Sequence, residues 1–150
     1  MTKTDQSRRT FIKSAAVTGL GLSLGHLNVF ADAVAPGKRI GIIGLDTSHS
    51  IAYTRALHAT TADPMLKGYK VVAAYPYGSR TIESSFSRIP GYIEEIKKLG
   101  VEIVDSIAAL LERVDVVLLE TNDGRLHLEQ ALEVFKAGKR LFIDKPIAAS

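Results

Sequence analysis

Val114-Asp115-Val116-Val117-Leu118-Leu119 is the stretch of sequence that decides the fold. It is short, apolar and rich in valine, which is typical of a strand buried on both faces. Apolar side chains then recur at helical spacing over residues 126–137, and a second short apolar run follows at residues 140–143. A strand, a helix and a strand in this order predict a βαβ unit with parallel strands.

The same alternation extends towards the N-terminus. Three further apolar runs predict strands at residues 39–44, 69–75 and 101–104. Helical spacing of apolar side chains predicts helices between them, at residues 51–60, 92–99 and 107–113. We therefore predict an α/β fold over residues 36–150, with a doubly wound parallel sheet of the Rossmann-like type.

Residues 1–35 have a different composition and are expected to be a signal peptide. Ser7-Arg8-Arg9-Thr10-Phe11-Ile12-Lys13 resembles the twin-arginine export motif, and a weakly apolar stretch containing several glycines follows at residues 15–30. This stretch is too short and polar for a membrane anchor, which needs about 20 apolar residues. We expect export by the twin-arginine translocation machinery to the periplasm. Because that route carries folded proteins, it favours a tightly held cofactor.

Composition excludes several classes of function. The 150-residue chain contains no cysteine, which excludes a disulfide framework, a thiolate zinc site and a cysteine nucleophile. Four cationic and two acidic side chains in residues 1–35 account for two of the three units of net positive charge. The remainder therefore carries no basic stripe, and we expect no nucleic-acid partner.

In doubly wound sheets, ligands bind beyond the carboxyl ends of the strands, near the point where the strand order reverses. The segments that follow the predicted strands are residues 44–50, 75–80, 120–125 and 144–146. After the first strand, Gly44 is followed by Asp46 and His49 where the fingerprint Gly-x-Gly-x-x-Gly has its second and third glycines. Thr47 and Ser48 still offer hydroxyl and N–H donors to a phosphate.

Two of these segments resemble the Gfo/Idh/MocA oxidoreductases. The first comprises residues 114–119, Thr121, residues 123–132 and residues 137–139, and the second is Asp144-Lys145-Pro146, which is similar to the family's Glu-Lys-Pro signature. The resemblance covers residues 38–150. It implies an NAD- or NADP-dependent enzyme that transfers hydride to or from a sugar or cyclitol and forms homo-oligomers. It also implies a second α/β domain that would follow residue 150, so we expect this chain to be truncated and inactive by itself.

The resemblance assigns roles to particular residues. Lys145 is expected to be catalytic, by positioning the substrate or transferring a proton. The expected cofactor-binding residues are Gly44, Asp46, Thr47, Ser48, His49, Thr121, Asn122, His127, Asp144 and Lys145. The second strand lacks the acid that NAD-binding proteins place at its end, whereas Ser79 and Arg80 could receive the 2′-phosphate of NADP.

Two other functions remain open at this level. The first is a metal-assisted sugar lyase or isomerase that binds no dinucleotide. Its candidate ligands, which match no recognised metal motif by spacing, are Asp46, His49, Glu120, Asp123 and Asp144. The second is a periplasmic binding protein without catalytic activity, because a fold does not by itself imply a function.

Overall fold

The computed structural model describes residues 34–61, 63–66, 68–144 and 146–149. The predicted signal peptide lies outside these residues except for its last two positions, and Lys145 lies outside them as well. No helix within the described ranges is long and apolar enough to cross a membrane.

The described ranges contain one sheet of five parallel strands, in the order β3-β2-β1-β4-β5. The strands are β1 (Arg39–Ile43), β2 (Lys70–Tyr75), β3 (Glu102–Ile103), β4 (Val116–Leu119) and β5 (Arg140–Ile143). The chain passes from β1 outwards to β3 and then returns to build β4 and β5 on the other side of β1. The strand order therefore reverses between β1 and β4, and the predicted doubly wound sheet is confirmed.

Helices connect the strands. They are α1 (Ser48–His58), α2 (Glu83–Phe86), α3 (Ile89–Lys98), α4 (Ile107–Leu111) and α5 (Gly124–Lys136), with a 3-10 turn at Pro64–Leu66. The short helix α2 was not predicted, because the polar loop that contains it has no apolar periodicity. The helices α1, α3 and α5 begin two or three residues earlier than their apolar spacing predicted. Thr47 caps α1 by accepting a hydrogen bond from the His49 N–H, and Asp123 caps α5 by accepting one from the Arg125 N–H.

Both faces of the sheet are covered by apolar side chains. On one face, Val117 and Leu119 of β4 are buried with Leu110 of α4 and Val134 of α5. On the other face, α1 and α3 cover β1 and β2 in a cluster that includes Ile42 and Ile96. Burial on both sides explains why β1 and β2 are continuous apolar runs. Several buried polar residues, Asp46, Ser79, Glu120, Thr121 and Asp123, follow the carboxyl ends of the strands.

Candidate functional site

Gly44 joins β1 to the first turn and brings that turn against the loop after β4. Its φ of 95° lies in the left-handed region, and a Cβ at this position would lie 2.5 Å from the Thr121 backbone nitrogen. Only glycine fits this conformation and this close approach. The first fingerprint glycine is thus required by the fold, at the switch point between β1 and β4.

Asp46 occupies the position of the second fingerprint glycine, and its side chain is turned inwards. The residue is fully buried, and its carboxylate accepts hydrogen bonds from the backbone N–H of Ser79 at 3.1 Å and of Asn122 at 3.0 Å. Burial raises the pKa of Asp46 above its usual value, while these two donors act in the opposite direction. Gly78 makes room for this carboxylate, because a Cβ there would lie 2.5 Å from it. Asp46 therefore ties the loops after β2 and β4 to the first turn.

Further hydrogen bonds join the same two loops directly. The Ser79 hydroxyl donates to Asp123 at 2.9 Å, and the Asn122 amide donates to the Ser85 hydroxyl at 3.0 Å. Arg125 donates to both Asp123 and Thr81. The Arg125 guanidinium holds the pKa of Asp123 well below its usual range. Asp123 is therefore a charged structural group in this loop pair.

The N-terminus of α1 lies at the same edge and is open to solvent. Thr47 is half-buried, Ser48 is exposed, and the first turn of α1 contains no acidic residue. The free N–H groups of a helix N-terminus carry a partial positive charge and favour an anion. This end of α1 is therefore suited to a phosphate.

His49, Glu120 and Asp144 meet beside this helix end. They come from α1 and from the residues directly after β4 and β5, and one ligand atom of each lies within 4.8 Å of the others. The His49 Nδ1 is hydrogen-bonded to the Asp144 Oδ2. We call these three residues the edge cluster.

Glu120 is the unusual member of the edge cluster. It is 1% exposed, and neither of its carboxyl oxygens receives a hydrogen bond. Burial, together with the neighbouring Asp144 carboxyl, raises the pKa of Glu120 to about 8. A buried carboxyl with two free acceptor oxygens is unfavourable unless a partner binds it, so this residue points to a ligand.

His127 has different surroundings. It is buried, with Nε2 2.6 Å from the Thr121 carbonyl oxygen and Nδ1 3.2 Å from the Ile147 carbonyl oxygen. These contacts connect the start of α5 to the loop after β4 and to the segment after β5. The neighbouring Thr121 hydroxyl is buried without a hydrogen-bond partner.

The structure thus divides the residues that the sequence singled out. Of the five candidate metal ligands, His49, Glu120 and Asp144 come together. Asp46 and Asp123 instead form hydrogen bonds within the loops after β2 and β4. Lys145 lies outside the described residues, so its predicted catalytic role stays a prediction. The sequence analysis did not identify Gly78 and Ser85 as parts of this edge. Both residues lie in the polar connection after β2, which is long for a link between a strand and a helix.

Comparisons with known proteins agree with this architecture. Residues 38–150 match the family model for Gfo/Idh/MocA proteins, described as an oxidoreductase family with an NAD-binding Rossmann fold. No curated protein matches the chain.

Two solved structures share the fold. One is UDP-N-acetylglucosamine 3-dehydrogenase from Acidithiobacillus ferrooxidans, which is 21% identical with a TM-score of 0.52, over 73% of this chain and 29% of that one. The other is GenD2 from gentamicin A biosynthesis in complex with NAD, which is 15% identical with a TM-score of 0.52, over 88% of this chain and 31% of that one. The chain thus spans less than a third of the length of either protein.

The family match covers nearly all of the residues that build the sheet and its carboxyl edge. It confirms the resemblance that the strand-end motifs indicated. The chain belongs to the Gfo/Idh/MocA oxidoreductase family, whose fold is the NAD-binding Rossmann fold.

Proposed function

We propose that the protein is an exported oxidoreductase that uses NAD or NADP to oxidise or reduce a hydroxyl-bearing carbon of a sugar or cyclitol. The observation that carries this proposal is the position of His49. As the second residue of α1, it belongs both to the anion-binding end of that helix and to the edge cluster. A phosphate-binding element and a set of polar groups for hydroxyls therefore adjoin at the switch point of the sheet.

The residues at the first turn fit a dinucleotide, with one change from the usual fingerprint. Gly44 keeps the close approach to Thr121, and the N-terminus of α1 presents Thr47 and Ser48 with no acidic residue in its first turn. The Asp46 carboxylate is turned inwards onto two N–H groups. In this proposal, Thr47, Ser48 and the first N–H groups of α1 hold the pyrophosphate. When bound, the nicotinamide supplies the acceptor or donor of hydride.

The edge cluster would bind the substrate. Glu120 offers two free acceptor oxygens, and Asp144 orients the His49 imidazole through Nδ1. Neighbouring hydroxyls of a sugar or cyclitol donate to such a set of acceptors, and the reacting hydroxyl would be held there. Lys145 follows Asp144 in the sequence, and in this proposal it positions that hydroxyl or takes and returns its proton.

Retention of nucleotide tests the proposed cofactor. We expect the protein, purified after export and then denatured, to release close to one equivalent of NAD or NADP, identified by chromatography of the supernatant. Ser48→Glu places a negative charge where the pyrophosphate would lie, and should reduce the retained nucleotide at least tenfold. The same charge favours the helix itself, so the variant should fold, and Ser48→Gln is the neutral control. Repeated folded preparations of the unsubstituted protein without nucleotide would overturn the proposal.

The proposal of export rests on the sequence of residues 1–35 alone. Replacing Arg8 and Arg9 together by lysine should leave the protein in the cytoplasmic fraction of the producing cells, while the unsubstituted protein appears in the periplasmic fraction. An equal distribution of the two proteins would refute export by the twin-arginine route. The second α/β domain and the homo-oligomer likewise remain predictions from the resemblance.

A further inference from the structure

We propose that the edge cluster binds a divalent transition-metal ion through His49, Glu120 and Asp144. The proposal deepens the proposed function, because the ion would hold the oxygen atoms of the substrate. Binding of the ion itself does not depend on the reaction.

The geometry of the three side chains suits a single ion. Zinc–nitrogen and zinc–oxygen bonds of about 2.0–2.2 Å place two ligands of one ion at most about 4.4 Å apart. The three ligand atoms of the edge cluster lie within 4.8 Å of one another. Side-chain rotations that move the ligand atoms by a few tenths of an ångström, with the ion replacing the proton between His49 and Asp144, are therefore enough to converge on an ion. Each ligand is attached at the end of a strand or the beginning of a helix, so the backbone positions are fixed by the sheet.

The state of Glu120 is an independent reason to expect a cation. A cluster of acids at a surface has water as its partner, but Glu120 is 1% exposed and both of its oxygens lack hydrogen bonds. Three donors near this edge are directed at other carboxylates, since the N–H groups of Ser79 and Asn122 bind Asp46 and Arg125 binds Asp123. A buried carboxyl that coordinates a metal gives up its proton and gains a partner for its oxygens. A cation bound beside Glu120 would therefore satisfy this group.

The charges around the edge cluster favour cation binding. Two carboxyl groups can contribute up to two negative charges, whereas the N-terminus of α1 contributes about half a positive charge. His49, itself one of the ligands, forms an ion pair with Asp144.

The donor atoms indicate which ion. One imidazole nitrogen and two carboxylate oxygens suit zinc, manganese or ferrous iron, whereas calcium and magnesium prefer sites made of oxygen alone. Three protein ligands also leave coordination positions open, as in catalytic rather than structural metal sites. His49 is partly exposed, with 38% of its side chain accessible, so both an ion and a hydroxyl can reach the cluster. The hydroxyl bound at an open position would be acidified by the ion.

Direct titration of the metal tests this proposal. The full protein is treated with chelator, dialysed, and titrated separately with MnCl2 and ZnCl2 by calorimetry, with the paramagnetic resonance of bound Mn2+ as a second readout. We expect a single saturable site. Glu120→Gln and Asp144→Asn should each weaken binding by about 100-fold or more, because loss of groups that only support ligands already costs 10–100-fold.

The control is Glu133→Gln, which removes an exposed carboxylate on α5 outside the edge cluster and should leave the affinity unchanged. Circular dichroism verifies that each variant is folded. The proposal is overturned if the unsubstituted protein shows no saturable binding. It is equally overturned if Glu120→Gln and Asp144→Asn are folded and bind the ion as tightly as the unsubstituted protein.

Nucleotide content measured in the same preparations separates this proposal from the proposed function. Metal binding without nucleotide would leave the metal site standing and remove the NAD-dependent reaction. Nucleotide without metal binding would leave the NAD-dependent reaction standing and remove the metal site.

Discussion

Asp115 and Glu120 stand at the two ends of the same strand, and their surroundings are opposite. Asp115 directly precedes β4, and its carboxylate accepts hydrogen bonds from the N–H groups of Gly37 and Arg39 and from two nitrogens of the Arg39 guanidinium. Glu120 directly follows β4 and is buried without a hydrogen bond. At the amino edge of the sheet, groups of the chain itself form hydrogen bonds to the Asp115 carboxylate. At the carboxyl edge it leaves acceptors for another molecule, which is the arrangement expected where a doubly wound sheet binds its ligand.

The difference does not arise because the carboxyl edge is poorly packed. Asp46 lies at that edge, is fully buried, and receives two backbone hydrogen bonds. The first turn, the loop after β2 and the loop after β4 are therefore fixed in place around the edge cluster. A fixed surrounding shell around unsatisfied polar groups, here the Glu120 carboxyl and the Thr121 hydroxyl, is typical of a preorganised binding site. The following substitutions test the two edges, from the largest expected effect to the smallest.

Gly44→Ala should cause the largest loss of stability. A left-handed φ and a Cβ 2.5 Å from the Thr121 nitrogen together should lower the free energy of unfolding by about 4 kcal/mol. Urea denaturation followed by circular dichroism measures this. Gly138→Ala is the matched control, because Gly138 also has a positive φ of 66° but no neighbour within 4 Å of its Cβ. That variant should lose only about 1 kcal/mol. Equal losses would show that the close approach at the carboxyl edge is unimportant.

Asp46→Ala should have the next largest effect. It leaves the N–H groups of Ser79 and Asn122 without their acceptor, and the expected cost is about 2–3 kcal/mol. The amide protons of Ser79 and Asn122 should also exchange faster with solvent, which nuclear magnetic resonance detects. Asp46→Asn keeps one acceptor oxygen and should lose less. If the alanine variant is as stable as the unsubstituted protein, Asp46 does not hold the loops, and its charge has another role at the first turn.

The contrast between Asp46 and Glu120 also shows what the sequence could predict. Short apolar runs predicted the strands, because burial on both faces leaves little freedom in residue type. The same runs placed both acids correctly, one in the first turn and the other directly after β4. The partners of Asp46 were not predictable, because they lie 33 and 76 residues away in the sequence. No local pattern identified Glu120 as buried and unpaired, since that depends on where neighbouring loops direct their donors.

Asp115→Asn should destabilise the protein by about 1–2 kcal/mol at neutral pH, because it weakens hydrogen bonds to a charged acceptor. The Arg39 guanidinium holds the pKa of Asp115 well below its unfolded value of 3.8. The stability that this charge contributes is therefore present above pH 3.8 and is lost as the pH falls below it. Urea denaturation of both proteins at pH 7 and near pH 3 should give a difference that shrinks at the lower pH. A difference that is independent of pH would indicate that the charge of Asp115 contributes nothing.

Glu120→Gln should have the smallest effect, and its sign should be opposite to that of Asp115→Asn. In metal-free protein the glutamine removes the need to keep a buried carboxyl protonated, and its amide can donate to Asp144. Burial raises the pKa of Glu120 to about 8, so at pH 7 the folded protein keeps a proton on this carboxyl that the unfolded chain releases, which costs up to about 3 kcal/mol. Burying the glutamine amide returns most of that cost, so the net gain should be about 1 kcal/mol, or roughly 3 °C in Tm. Differential scanning calorimetry on chelated protein measures this gain.

Saturating Mn2+ or Zn2+ should reverse the order of stability of the two proteins, because an ion that binds only the folded unsubstituted protein stabilises only that protein. Amide substitutions at the two ends of β4 would then differ in sign, as they should if Asp115 supports the fold and Glu120 awaits a ligand. A loss of 1 kcal/mol or more in the metal-free Glu120→Gln variant would instead mean that the chain itself satisfies this carboxyl, and the contrast between the two edges would disappear.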